Sequence, residues 1–280
     1  MNKRSFIAAA LVAFAFAAPA RAEVRRVVSL NPCLDVILVN VADREQIAAL
    51  SHFSRDTSSS TIAELSKSFP ITYESAEEVL SFAPDLVLTS RHSSLGTRNA
   101  LRRVETKTEL FSEPKSIEES LAHVRRIAEL VGHAERGEEL ITRIQIALKD
   151  AAPAPTAAPV PALIYQRNGF STGGGTLVDE MLHTAGFDNV ASRYGLSGWG
   201  NISLELVVAN PPRIILAGED VPGMPTWADR VLRHPALRNI EGRMKRFTFP
   251  DRLIYCGGPV LIEAARALVA ARRQAEEMTP

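Results

Sequence analysis

A short pattern that occurs twice constrains this chain more than any other feature. The first copy is Ser75, Glu77 and Val79 followed by Pro84-Asp85-Leu86-Val87-Leu88. The second is Ser203, Glu205 and Val207 followed by Pro212-Arg213-Ile214-Ile215-Leu216. Each reads as a capped short helix, a proline break and a buried strand. A serine accepts from the first free N–H groups of a helix, and Glu78, three residues after Ser75, completes a capping box. Proline ends the helix, and a run of branched apolar residues suits a strand covered on both faces. A repeat this widely spaced, with unlike sequence between, predicts two similar α/β lobes and not a solenoid, whose period is shorter.

Residues 1–22 read as a secretory signal. Lys3 and Arg4 make the basic start, residues 6–18 the apolar stretch, and Ala20-Arg21-Ala22 a small-x-small cleavage site. The apolar stretch is shorter than the roughly 20 residues that span a bilayer, and no cysteine follows it, so neither a retained anchor nor a lipidated form is expected. An exported, soluble, periplasmic chain is the expectation. The full sequence has 32 basic and 32 acidic residues; losing Lys3, Arg4 and Arg21 leaves a net charge of −3. That balance argues against a nucleic-acid or membrane-surface partner. With only Cys33 and Cys256, the chain is no disulfide scaffold.

Val27-Val28-Ser29-Leu30 reads as the first strand, turning at Asn31-Pro32; a helix follows over 34–41 and a second strand over 47–50. Residues 51–61 read as a polar loop. Leu86-Val87-Leu88 and Leu110-Phe111 continue the alternation of strand and helix that builds a largely parallel sheet. Residues 116–151 read as helix, opened by a second capping box of Ser116 and Glu119 and interrupted at Gly132. Its second part, 134–151, is about 27 Å long at 1.5 Å per residue. Residues 152–161 carry four prolines among alanines and read as a stiff connector. Ala162-Leu163-Ile164-Tyr165 then opens the second lobe. A helix over 178–185 stops at Gly186, and another over 259–274 closes the chain. The expected division is 23–133 for the first lobe, 134–161 for helix and connector, and 162–280 for the second lobe.

At this point the chain resembles the periplasmic substrate-binding proteins of ABC importers for ferric siderophores, haem and cobalamin. Arg26-Val27-Val28-Ser29-Leu30-Asn31-Pro32 is similar to that family's opening strand and turn. The Glu77…Pro84-Asp85-Leu86-Val87 and Trp199…Ser203-Leu204-Glu205 segments resemble its paired lobe motifs, and the helix over 134–151 stands where the family has its rigid inter-lobe helix. The resemblance implies two parallel-sheet lobes of Rossmann-like layout with a ligand cleft between them, a receptor and not an enzyme, and no cofactor. It implies a small-molecule chelate or corrinoid as ligand, an ABC-transporter permease as partner, and a monomer. Glu77 and Glu205 would dock on permease arginines. Read from the residues alone, a carboxylate in a first helical turn is also favoured by the helix dipole, at about 0.3–1 kcal/mol.

Open α/β sheets bind ligands beyond the carboxyl ends of their strands. That rule places Asn31, Cys33, His52, Phe53, Arg55, Arg91 and His92 in the cleft from the first lobe. From the second it places Tyr165, Arg167, Trp199, Glu219-Asp220 and Tyr255. Aromatic faces suit a macrocycle or catechol ring, and guanidinium groups suit carboxylate or phosphate. Glycines on both sides of Trp199 leave its ring accessible. His52 and His92 stand at no metal-ligand spacing, so a bare metal ion is not expected. Tyr73 lies near where haem-binding members carry a tyrosine ligand, but its gap to Glu77 is short, which leaves haem secondary. Cys33 and Cys256 follow strands in opposite lobes; they are either bonded across the cleft or two free thiols lining it. An exported α/β hydrolase is the alternative from another class. The chain has no Gly-x-Ser-x-Gly elbow, and Gly173-Gly174-Gly175 lacks the Lys-Ser/Thr of a phosphate loop.

Overall fold

The computed structural model describes residues 24–218 and 244–277; residues 1–22, read above as the export signal, and Glu219 and Asp220 lie outside them. The first lobe contains β1 (Val27–Ser29), α1 (Pro32–Val41), β2 (Ile47–Ser51), α2 (Ala63–Ser66), β3 (Ile71–Thr72), α3 (Ala76–Ser81), β4 (Leu86–Ser90), α4 (Leu95–Arg103) and β5 (Thr108–Phe111). Its five strands are parallel in the order β3-β2-β1-β4-β5. Two helices follow, α5 (Ile117–Leu130) and α6 (Ala134–Ala151). The second lobe contains β6 (Val160–Ile164), β7 (Phe170–Thr172), α7 (Leu177–Thr184), β8 (Phe187–Asn189), β9 (Trp199–Asn201), α8 (Leu204–Ala209), β10 (Ile214–Ala217), β11 (Lys245–Thr248) and α9 (Val260–Glu277). Four of these strands form a parallel sheet, β11-β10-β6-β8, while β7 and β9 pair antiparallel beside it.

Both copies of the repeat form the expected helix, break and strand, with differences at the caps. Ser75 Oγ accepts from Glu78 N–H at 3.2 Å, but the Glu78 carboxylate turns outward to Tyr73 N–H at 2.7 Å and Thr72 Oγ1 at 3.0 Å. The Ser116 box is displaced in the same way: Glu119 accepts from Lys115 N–H at 2.8 Å. In each case the carboxylate secures the segment before the cap instead of the cap itself. The Ser203 side chain makes no capping hydrogen bond at all. The connector is shorter than expected, because β6 already starts at Val160. Pro161 is tolerated there, since pairing with β10 begins only at Ala162.

The antiparallel pair explains the glycine run. Gly173 N–H donates to Gly198 O at 2.6 Å, and a Cβ on Gly173 would stand 2.6 Å from Leu196 O. The run lets two backbones approach closely, and it also places Trp199 on a strand where the sequence suggested a loop.

One apolar cluster joins the lobes. It takes Val27, Leu86 and Leu88 from the first sheet, Ile164, Ile214 and Leu216 from the second, and Ile141, Ile144 and Leu148 from α6 between them. Each fully buried side chain of this kind is worth about 1.5–3 kcal/mol. The outer face of each sheet has its own smaller cluster. Gly137 lets α6 press on α5: a Cβ there would fall 2.5 Å from the Ala128 Cβ. On the cleft side, Cys33 and Cys256 are bonded, with Cα atoms 5.0 Å apart. Two buried or half-buried hydrogen bonds cross nearby, Gly258 N–H to Ser120 Oγ and Ile117 N–H to Glu180 Oε2, both 2.7 Å.

Asp35, on α1, is fully buried and anchors the chain leaving β2. Its Oδ2 accepts from Ser51 N–H at 3.0 Å and from Ser54 Oγ, while Oδ1 has no partner. Burial pushes its carboxyl up to about 8, against the lowering effect of the serine hydroxyls and the Ser51 amide.

Two outcomes follow from this architecture. With the lobes joined by a packed helix and a covalent bond, small-angle scattering should give the same radius with and without ligand; a contraction of the clamshell kind would contradict it. For Asp35 the folded carboxyl sits above its unfolded value of about 3.9, so its stabilising contribution is complete below about pH 4 and is lost as pH rises toward 8. Urea unfolding from pH 5 to 8 should therefore show a falling stability that is shallower in Asp35→Asn. Equal slopes in the two proteins would mean that Asp35 is ionised throughout.

Candidate functional site

The carboxyl ends of both sheets face one cleft, and three compartments lie between the lobes, the first two sharing lining residues. The first, about 400 Å³, is lined from the first lobe by Asn31, Cys33, His92, Phe111 and Glu113, and by Ser120 and His123 on α5. From the second lobe come Phe170, Trp199, Tyr255, Gly257 and Gly258. A second, about 380 Å³, shares Asn31, His92 and Tyr255 with the first and adds Phe53, Asp56, Glu74 and Cys256. A third, about 630 Å³, lies between residues 57–65 of the first lobe and Arg167, Asp251 and Arg252 of the second. Five residues singled out by sequence (Asn31, Cys33, His92, Trp199 and Tyr255) therefore meet in the first compartment.

Each wall is held by the local fold. Asn31 caps α1, its Oδ1 accepting from Cys33 N–H at 2.9 Å, and its Nδ2 donates to Ser90 Oγ at 3.2 Å, tying the β1 loop to the β4 loop. Its amide is thus occupied by structure. The disulfide forms the floor where first and second compartments meet. Trp199 stacks on Phe170 with centroids 5.6 Å apart and planes 14° from parallel, so strand pairing of β7 and β9 builds a two-ring wall. Phe111 meets His123 edge-on at 5.1 Å, and burial pushes the His123 imidazole down, toward the neutral form. His92 is exposed, its Nε2 4.0 Å from Glu113 Oε2. Burial raises the Tyr255 phenol, with Asp251 adding to the rise and Arg167 opposing it. Glu74, half-buried at the second compartment, is likewise raised by burial, and accepts from Ser51 Oγ at 3.0 Å.

The remaining sequence candidates sit elsewhere. Tyr165 is 1% exposed in the core of the second lobe, its hydroxyl donating to Ile202 O at 3.2 Å and its phenol pushed up to about 12 by burial. It follows its strand directly, and at that position the pleat turns it inward. Arg55 bends back to Phe69 O at 3.1 Å. His52 stacks between Phe53 at 4.0 Å and Tyr73 at 4.9 Å, on the first lobe's surface, and Tyr73 is 70% exposed. Arg91 is exposed and lines none of the three compartments. Phe53 lines the second compartment and Arg167 the third. The first compartment consequently has no Lys or Arg in its lining, against the expectation of arginines facing Trp199.

Phe111, Phe170, His123, Ser120 and Glu113 are among the lining residues that sequence reasoning missed. Phe111 ends a strand and follows the same carboxyl-end rule as the others. His123 and Ser120 lie on α5, where helical spacing gives no sign of a cleft. Among the described residues no group of three or more His, Cys, Asp or Glu is placed to hold a metal ion, and no helix is long and apolar enough to cross a membrane.

Helices α3 and α8 precede β4 and β10 and run back against them, so their N-termini lie at the cleft end of the sheets. Glu77 and Glu205 stand in those first turns, both exposed, one on each lobe.

Residues 27–242 match the family described as periplasmic binding protein. A cobalamin-binding protein of Halobacterium salinarum is 24% identical over 201 residues, covering 70% of this chain and 54% of that protein. The chain thus spans about half the length of the curated relatives it matches. Among solved structures, the periplasmic heme-binding protein RhuT from Roseiflexus sp. RS-1 in apo form superposes with a TM-score of 0.71 at 24% identity, covering 89% of this chain and 99% of that one. The periplasmic vitamin B12 binding protein BtuF of Vibrio cholerae gives 0.67 at 14% identity, covering 91% and 99%. Helicobacter pylori CeuE with Ni(II) bound gives 0.69 at 17% identity, covering 93% and 87%. At these identities the structural likenesses show the shared two-lobed fold.

Proposed function

Because the chain belongs to the periplasmic binding protein family, we propose that it is a periplasmic receptor for a cobalamin-like corrinoid, which it presents to an ABC-transporter permease. The observation that carries this reading is the first compartment: an inter-lobe cavity walled by the Trp199–Phe170 stack, Phe111 and Tyr255, with no Lys or Arg in its lining. Such a surface suits the edge and face of a large macrocycle, which gains from apolar burial and ring contact. A ferric siderophore with several anionic oxygens would call for guanidinium or ammonium groups at that wall. The cobalamin-binding relative adds independent support.

Haem is the second reading, favoured by a specific feature: His92 and His123 line the same cavity and bring imidazole nitrogens, of a kind that haem iron takes as axial ligands. No observation favours the exported hydrolase. Titration with cyanocobalamin and with haem, followed by calorimetry and absorbance, tests the choice. Tight binding of haem with a shifted Soret band, and none of the corrinoid, would overturn the first reading in favour of the second.

Delivery rests on Glu77 and Glu205, exposed carboxylates at corresponding places on the two lobes. They suit transient, salt-sensitive recognition by arginines of a two-fold permease. Replacement of either by alanine should leave affinity for free ligand unchanged and reduce uptake in cells or vesicles that carry the cognate permease. Substantial loss of free-ligand affinity would assign that side chain to the pocket instead.

Trp199→Ala should cost about 1–3 kcal/mol of ligand binding, and the loss should be nearly independent of salt. Arg55→Ala and Arg91→Ala should change binding little, because neither side chain lines the cleft. Unchanged affinity in the tryptophan variant would remove Trp199 from the site.

A further inference from the structure

The second compartment adjoins the aromatic cavity directly, sharing Asn31, His92 and Tyr255 with it, so arms leaving a macrocycle held in the first can enter the second. No Lys or Arg lines this space, and the carboxylates in its wall are those of Asp56 and Glu74. Asp56 is engaged by its own loop, accepting from Ser58 N–H at 2.9 Å, Ser58 Oγ at 2.8 Å and Ser59 Oγ at 2.9 Å. Glu74 is different. Its Oε1 accepts from Ser51 Oγ at 3.0 Å, while Oε2 accepts no hydrogen bond among the described residues.

Glu74 is also held in place from several sides. Its N–H donates to Thr72 Oγ1 at 3.0 Å, and its C=O accepts from Thr97 Oγ1 at 2.7 Å. The Ser51 hydroxyl that fixes its side chain belongs to a residue whose own N–H is tied to buried Asp35 at 3.0 Å. The φ of Glu74 is 70°, in the left-handed region that residues with a side chain rarely occupy. Such strain persists only where the surroundings enforce it, and ligand clamps are among the places where it collects. His52 acts on Glu74 by charge, but its ring is stacked between Phe53 and Tyr73 and lines none of the three compartments. An anchored carboxylate accepts hydrogen bonds and cannot donate them, so it sorts what comes beside it. A carboxamide N–H donates to it, whereas a carboxylate arm brings only like charge.

We propose that Glu74 is a specificity-determining residue of the cleft: it accepts a hydrogen bond from a carboxamide arm of the captured macrocycle and disfavours macrocycles that carry a carboxylate in that place. This rests on the corrinoid reading above and specifies it further. The aromatic cavity recognises the ring, and Glu74 recognises the state of its arms. Discrimination of this kind combines an attractive contact with a repulsive one.

The test compares cyanocobalamin with its monocarboxylic acid isomers, in each of which one propionamide arm has been hydrolysed to a propionate. Each is titrated separately at pH 7.5, by calorimetry, into the intact protein, Glu74→Gln and Trp199→Ala. The intact protein should bind cyanocobalamin about tenfold more tightly than at least one of the acids. In Glu74→Gln that gap should close to within about twofold, because the glutamine amide removes the charge and can donate to the propionate. Glutamine keeps the shape of the side chain and can still accept from Ser51, so the melting temperature should hold. The readout is a ratio within one protein, so a variant that folds only in part reports it equally well. Trp199→Ala should weaken both forms and leave the ratio as it is. A ratio in Glu74→Gln equal to that of the intact protein would overturn the assignment, as would equal binding of cyanocobalamin and every acid isomer by the intact protein. If the intact protein binds no corrinoid at all, the corrinoid reading falls and this inference with it. That outcome is distinct from a failure of Glu74 alone, in which corrinoids bind without the predicted preference.

Discussion

The shared apolar core beneath the cleft is the constraint on which the rest of this structure depends. Ile141, Ile144 and Leu148 of α6 are buried against strands of both sheets, so neither lobe can pivot freely without exposing them to water. The Cys33–Cys256 bond closes the opposite side of the same joint. It links positions 223 residues apart, and in the chain-entropy view a closure that long stabilises by on the order of 5 kcal/mol. Helix and disulfide both hold lobe to lobe, and the cleft between them is already open as a cavity. A preformed site avoids the ordering cost that a closing one would incur at each capture.

That rigidity gives the cleft walls their meaning. The strand ends deliver short loops and helix N-termini to one level, and each wall residue is positioned by a backbone that already serves the fold. Asn31 shows the economy of this arrangement: one amide caps α1, ties two loops together and forms cavity surface. The Trp199–Phe170 wall depends on an antiparallel strand pair outside the main sheet, which the glycines at 173 and 198 allow to close tightly. No Lys or Arg lines the first compartment, whereas Arg167 and Arg252 line the third.

On the delivery reading proposed above, release from a cleft held in this way would be driven by the permease. Exposed carboxylates on each lobe, at the level of the cleft, are suited to transmit that drive. Glu77 and Glu205 owe their common level to topology, since each opens a helix that runs back against the strand it precedes.

Local chemistry in the sequence determined the element order, the two lobes and the inter-lobe helix, whose span over 134–151 coincides with α6. Helical spacing, serine caps and proline breaks act within a few residues, so they can be read without the fold. The carboxyl-end rule likewise brought Asn31, Cys33, His92 and Tyr255 to the cleft, because it needs only strand direction, whereas Trp199 reaches it on the antiparallel β9. Side-chain orientation at those same strand ends was decided by the tertiary structure. Tyr165 turned into the core, Arg55 turned back to Phe69, and His52 settled between two surface rings, since each found partners from segments distant in sequence. The same holds for His123 and Ser120, which reach the cleft only because α5 packs beneath it. Whether Cys33 and Cys256 bond was also beyond the sequence: the bond needs two Cα atoms within about 7 Å, and a separation between lobes is set by packing of the whole molecule.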